Sequence, residues 1–290
     1  MRTEEEIYEL ILRIAQQDEG IRGVYMNGSR TNANAPKDIF QDYDVVYVVK
    51  EIKPYIEDKN WIDQFGERLY MQYPDENPDY PCDKENIYGW LMQFRDGNRI
   101  DLHVESITHA KENIWNDKLC KVLLDKVNLF LGVPQSTDED YRIKYPSKEQ
   151  YSCTCNEFWW CLNNVAKGLW RGEIPYVQDM LNFHVRKQLE KMLSWKIGIE
   201  THFSVSVGKS AKYMYRWLPE KEWKRYLSTY CGAEIEECWN AVFRMCDLFE
   251  DTARDVGEKL KYSYNADESQ NSRYFLEHVK ELPKDAVEIL

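Results

Sequence analysis

Gly28-Ser29-Arg30 closes the run Ile21-Arg22-Gly23-Val24-Tyr25-Met26-Asn27, and after a polar spacer comes Asp42-Tyr43-Asp44-Val45-Val46-Tyr47-Val48-Val49. This stretch decides the fold. Residues 21–26 read as a short strand that stops at Gly-Ser. The spacer Thr31-Asn32-Ala33-Asn34-Ala35-Pro36-Lys37 cannot continue a strand and must be loop. Residues 44–49 are β-branched and aromatic, hence a buried strand. On a strand, residues i and i+2 project to one face, so Asp42 and Asp44 point together and are close enough to share a divalent cation. Hard cations such as Mg²⁺ take oxygen ligands, commonly a few carboxylates plus substrate phosphates. Gly28 lets the backbone approach a polyphosphate, Ser29 offers a hydroxyl and an amide to a phosphate oxygen, and Arg30 adds charge.

Upstream, Thr3 and Glu6 form a capping box before Ile7, Leu10, Ile11 and Ile14, which predicts a helix over residues 3–17. Downstream, Arg95-Asp96-Gly97-Asn98 between strand-like runs 87–94 and 99–105 is a hairpin signal. In the second arm Ile100, Leu102 and Val104 share one face, and Arg99, Asp101, His103 and Glu105 the other. Asp101 can thus supply a third carboxylate from a neighbouring strand. Paired metals held in this way activate an attacking oxygen and stabilise a leaving one in phosphoryl-type displacement.

Beyond residue 146 helical periodicity takes over, at 156–171, 176–198, 209–218, 220–230 and 234–260, punctuated by Pro146, Gly172 to Pro175, Pro219 and Gly232. The run 118–131 asks for nothing beyond packing and solvation. The expectation is an α+β protein in which residues 1–140 mix strands and helices and residues 141–290 form a helical domain.

The chain of 290 residues is 43% hydrophobic, which suits packed cores. Its net charge of −12 disfavours nucleic acid, because backbone-tracking proteins neutralise phosphates with basic surfaces. An acidic balance suits a cationic small molecule or plain solubility. The eight Cys show no paired C-x-x-C spacing, and Cys153, Cys155 and Cys161 make a poor zinc set. No apolar run approaches the roughly 20 residues that span a bilayer, and the first residues lack a secretory h-region. These features predict a reduced, cytoplasmic protein without a membrane partner. Nothing in the sequence signals an oligomeric state. The five His lack metal spacing, although His103 shares a strand face with Asp101.

Gly28-Ser29-Arg30, the Asn34-to-Asp38 segment, Phe40-Gln41 and Asp42-Tyr43-Asp44-Val45-Val46-Tyr47 together resemble the bacterial aminoglycoside 6-adenylyltransferases (streptomycin adenylyltransferases). That family belongs to the polymerase-β-like nucleotidyltransferases. The similarity continues through Arg99-Ile100-Asp101-Leu102, Glu190-Lys191-Met192-Leu193-Ser194-Trp195-Lys196-Ile197-Gly198 and Phe203-Ser204-Val205-Ser206-Val207-Gly208-Lys209. The resemblance implies a polymerase-β-like N-terminal domain with a mixed sheet and a C-terminal helical bundle that binds the acceptor. It also implies Mg²⁺-dependent transfer of AMP from ATP to the 6-hydroxyl of streptomycin, with release of pyrophosphate and resistance to the drug. Asp42 and Asp44 would hold Mg²⁺, Ser29 would touch the triphosphate, and Asp101 would serve as third ligand, base or both. The alternatives are another small hydroxylated acceptor, a protein acceptor, or a non-catalytic nucleotide-binding module.

Two further groups are candidates. Residues 207–212 read as the start of a helix, whose free amides and dipole favour anions. With the resemblance, Lys209 and Lys212 are expected at the triphosphate. For a cationic acceptor, Glu173 and Asp179, followed by Trp170, offer carboxylates and an aromatic face near a predicted helix–loop–helix.

Overall fold

Thr3 starts the first helix as the sequence dictates: its hydroxyl accepts from the Glu6 amide at 3.2 Å, and its own amide donates to Glu6 Oε2 at 2.7 Å. The helix, α1 (Glu4–Gln17), buries Ile7, Leu10, Ile11 and Ile14. The computed structural model describes residues 1–290, which divide into two compact units, Met1–Asp140 and Tyr141–Leu290.

The first unit is built on one six-stranded mixed sheet. Its strands are β1 (Ile21–Asn27), β2 (Tyr43–Val49), β3 (Arg68–Gln72), β4 (Ile87–Phe94), β5 (Arg99–Ser106) and β6 (Cys120–Asp125). The spatial order is β3-β4-β5-β2-β1-β6. Only β2 and β5 pair in parallel. The β4–β5 hairpin turns at Gly97, whose φ is +89°.

Alternation along each strand separates the two faces of the sheet. Val45, Tyr47, Ile100, Leu102, Val104, Trp90 and Met92 meet α1 in the larger core, where the Tyr47 hydroxyl donates to the Ile11 carbonyl at 2.7 Å. The opposite face packs Tyr25, Val46 and Val48 against Ala110 of α3 (Ile107–Asn113), and Phe130. Burying side chains of this size is worth about 1.5–3 kcal/mol each, so a register slip that exchanged the faces would cost the whole sheet.

The second unit is helical: α4 (Lys148–Arg171), α5 (Ile174–Asp179), α6 (Arg186–Glu200), α7 (Glu220–Leu227), α8 (Ile235–Leu260) and α9 (Ala266–Glu281), with α2 (Lys53–Glu57) belonging to the first unit. A second capping box, Ser147 with Gln150, begins α4 earlier than periodicity alone predicts, and Gly172 in the left-handed region ends it. At the centre of this core Phe158 stacks on Phe249, ring centroids 3.7 Å apart.

Three expectations need correction. The helix predicted over 176–198 is interrupted by a π-helical turn at Met180–Val185. The helix predicted over 209–218 does not form. Two 3₁₀ turns, Lys209–Ala211 and Met214–Arg216, stand there instead. Gly208, Ser210 and Ala211 all take positive φ, and the Tyr213 amide donates back to the Val207 carbonyl at 2.8 Å, which closes a tight loop. Finally, the run 118–131 contains β6, an edge strand. No helix is long and apolar enough to cross a membrane.

Candidate active site

The parallel pairing of β2 with β5 sets Asp44 directly beside Asp101. Asp42 lies just before β2 with the same parity as Asp44. The three side chains converge, with one carboxylate oxygen from each within 4.8 Å of the others. Every donor is a carboxylate oxygen, the ligand set that Mg²⁺ takes, and the spacing fits a shared cation.

Electrostatics support that fit. Burial first, then the Asp42 and Asp101 charges, push the Asp44 carboxyl up to about 7, with Arg99 opposing them. A cation among the three would relieve this repulsion. Arg99 does part of that work: its Nε and Nη2 donate to the two oxygens of Asp101 at 2.7 and 2.6 Å, and its Nε stands 4.0 Å from Asp42 Oδ2. Arg99 was legible only as a neighbour of Asp101 on the strand's polar face; its bidentate clamp appears in three dimensions.

Gly28 borders the cluster on the β1 side, just past the Asn27–Asp44 pair. Its φ of +75° suits glycine, and a Cβ there would collide with the Asp44 carboxylate. Ser29 opens a short 3₁₀ turn, Ser29–Thr31. The Thr31 hydroxyl donates to the Gly28 carbonyl at 2.9 Å, and Gln41 Nε2 reaches Ser29 Oγ at 3.4 Å. The Ser29 turn and the Asp42 segment are thereby tied across the spacer.

Arg30 is placed differently from the phosphate role expected of it. Its Nε and Nη2 donate to the carbonyls of Asp42 and Gln41 at 2.9 and 2.8 Å. Its guanidinium lies 3.6 Å from the Tyr43 ring centroid and 3.5 Å from Glu4. It is a structural clamp on the backbone that presents Asp42.

The candidates of the second unit are not gathered by a common feature. The helix N-terminus that motivated Lys209 and Lys212 is absent; both are exposed, with Lys212 Nζ 5.0 Å from the Tyr213 ring. Glu173 is exposed and pairs with Arg171 at 3.8 Å. Asp179 is exposed at the end of α5. Trp170 donates from its indole to the Leu282 carbonyl at 2.9 Å and carries Lys284 over its ring, a packing role rather than an open aromatic face. All eight cysteines are free thiols, and Cys155 and Cys161 are buried.

The sequence model of the streptomycin adenylyltransferase family matches residues 1–279. An aminoglycoside 6-adenylyltransferase of Campylobacter jejuni is 38% identical over 280 residues, covering 97% of each chain. Another, from Bacillus subtilis (strain 168), is 39% identical over 265 residues, covering 91% of this chain and 93% of its own. A crystal structure of an aminoglycoside 6-adenyltransferase from Bacillus subtilis aligns with a TM-score of 0.49 at 32% identity, covering 97% of this chain and 100% of that one.

Proposed function

The chain belongs to the streptomycin adenylyltransferase family, and we propose that it transfers AMP from ATP to the 6-hydroxyl of streptomycin, releasing pyrophosphate and conferring resistance to the drug. It is a nucleotidyltransferase. The observation that carries the reading is the convergence of Asp42, Asp44 and Asp101 beside Gly28.

Asp42, Asp44 and Asp101 would hold Mg²⁺. When bound, the ion supplies Lewis-acid stabilisation to the phosphoryl oxygens and to the departing pyrophosphate. Gly28 leaves room for the polyphosphate against the backbone, and Ser29 offers it an amide and a hydroxyl. Arg99 fixes the orientation of Asp101, and Arg30 fixes the segment that presents Asp42. In the transfer, a bond forms from the acceptor oxygen to the α-phosphorus of ATP while the bond from that phosphorus to the pyrophosphate oxygen breaks, and the acceptor hydroxyl gives up its proton to a carboxylate base, for which Asp101 is the candidate. The second unit, residues 141–290, is read as the acceptor-binding domain. Within it Glu173 and Asp179 remain the carboxylates proposed for the cationic drug, and Lys209 and Lys212 are proposed at the triphosphate by resemblance alone. The relatives' names and the acidic charge of −12 support an aminoglycoside acceptor.

The test follows pyrophosphate release with ATP, Mg²⁺ and a panel of aminoglycosides. Release with streptomycin, lost by about 10³-fold or more in Asp42→Asn, is the expected result. Release only with a different hydroxylated acceptor, or with none, overturns the streptomycin assignment. Unchanged turnover in Asp42→Asn overturns the metal site.

A further inference from the structure

The catalytic row of the sheet has two flanks. From Asp44, strand pairing leads one way to Asn27 and Gly28, and the other way to Asp101 and then Leu91 of β4. In a phosphoryl-type displacement the attacking and leaving oxygens lie roughly in line through phosphorus. With the triphosphate on the Gly28–Ser29 flank, the acceptor approaches from the β5–β4 flank.

The next residue on that flank and face is His103. It is half-buried and makes no hydrogen bond or ion pair with the protein. Its position is built rather than incidental. A Cβ on Gly89, its partner across the β4–β5 pair, would fall 2.6 Å from His103 Cδ2 and 2.7 Å from Nε2. Gly89 has no positive φ to explain it, so the absent side chain serves to seat the imidazole. Asp75 stands at the same spot, its Oδ2 accepting the Gly89 amide at 2.7 Å. Glu105, further along the face, is by contrast committed to structure: it accepts from the Tyr25 hydroxyl at 2.9 Å and faces His109 at 3.4 Å.

We infer that His103, seated on Gly89 and backed by Asp75, binds the acceptor, taking hydrogen bonds from hydroxyl or ammonium groups of a cationic sugar whose reacting hydroxyl lies at Asp101. Same-face neighbours on a strand are about 7 Å apart, roughly the width of one sugar ring. An imidazole acceptor with carboxylates behind it matches a polyhydroxylated cation and is ill suited to a phosphate. The inference rests on the adenylyl transfer proposed above, and it places part of acceptor recognition in the first unit.

The experiment uses the full chain with Mg²⁺, ATP and the aminoglycoside that gives turnover, comparing the unmodified protein with His103→Ala, His103→Asn and Gly89→Ala. His103→Ala is expected to raise the acceptor KM about tenfold, the loss of one or two hydrogen bonds, with the KM for ATP and the melting temperature unmoved. His103→Asn restores part of the acceptor affinity, and Gly89→Ala, which displaces the ring, repeats the His103→Ala effect. An unchanged acceptor KM in His103→Ala overturns the inference and leaves the adenylylation reading standing, as does a rise shared equally with ATP. No turnover by the unmodified protein with any aminoglycoside overturns both.

Discussion

Gly28 meets two demands at once: a backbone with φ of +75° and a space already filled by the Asp44 carboxylate. Alanine at this position would strain the backbone by about 1–3 kcal/mol and push Asp44 away from Asp42 and Asp101. The Gly28→Ala protein is therefore expected to lose at least about 100-fold in kcat, since ligand placement within about 0.5 Å matters, while melting only a few degrees lower. Circular dichroism melts beside pyrophosphate release check this. Wild-type kcat in that variant would mean that the close approach is incidental. Asp44 shows the same economy of space from the other side. Its raised proton affinity comes first from burial and then from the two carboxylates facing it, so the side chain that suffers most without a cation is the one at the middle of the cluster.

Among the elements, those with strong local signals formed where expected, and those without did not. α1 and the β4–β5 hairpin follow from a capping box and an Asp-Gly turn, which act within a few residues. β3 and β6 are edge strands with weak burial patterns, and only pairing with β4 and β1 makes them strands. α9 buries only Ser269, Leu276 and Val279, a stripe too thin to announce itself, although the Asn265 side chain caps it. The segment 207–213 carries a plausible helix start, yet Gly208 and the Val207–Tyr213 backbone bond close it as a loop.

The end of β6 offers a test at this scale. Asp125 Oδ1 accepts from the amides of Val127 and Leu129, and Oδ2 from Phe130 at 2.9 Å, which folds the chain back after the strand. Burial raises its proton affinity, but these amides outweigh it and hold the carboxyl below the ordinary value. A depressed carboxyl adds stability above its unfolded value and loses it as pH falls through the folded one. Asp125→Asn is thus expected to cost about 1 kcal/mol from pH 5 upward. In urea titrations at stepped pH the difference from the unmodified protein should shrink as pH falls below the ordinary carboxylate range. A difference that stayed constant through that window would rule out the charged contacts as its source.

For the molecule as a whole, charge is the property that reaches furthest. A net charge of −12 attracts a cationic acceptor over a distance that salt controls, with a Debye length of about 10 Å at 0.1 M. Raising salt from about 50 to about 500 mM at fixed Mg²⁺ is expected to lower kcat/KM for the aminoglycoside several-fold, mostly through association. Stopped-flow or initial-rate measurements would show it, and a salt-independent kcat/KM would leave the acidic balance a matter of solubility.

By itself the sequence determined the α+β class, the Gly-Ser turn and the pairing of Asp42 with Asp44, because strand alternation and turn chemistry operate over a few residues. Its resemblance to the adenylyltransferases also ran through both halves of the chain. Tertiary structure alone decided what lies beside what. The parallel β2–β5 register brings Asp101 to Asp44. Arg99 closes on the cluster, and Arg30 turns to the backbone it would have been expected to leave. Gly89 makes the seat for His103. Apart from the Arg99–Asp101 pair, two residues apart on one strand, these are contacts between separate segments of the chain, where no local period or propensity acts. Register and packing against distant strands settle them, and with them the shape of the site.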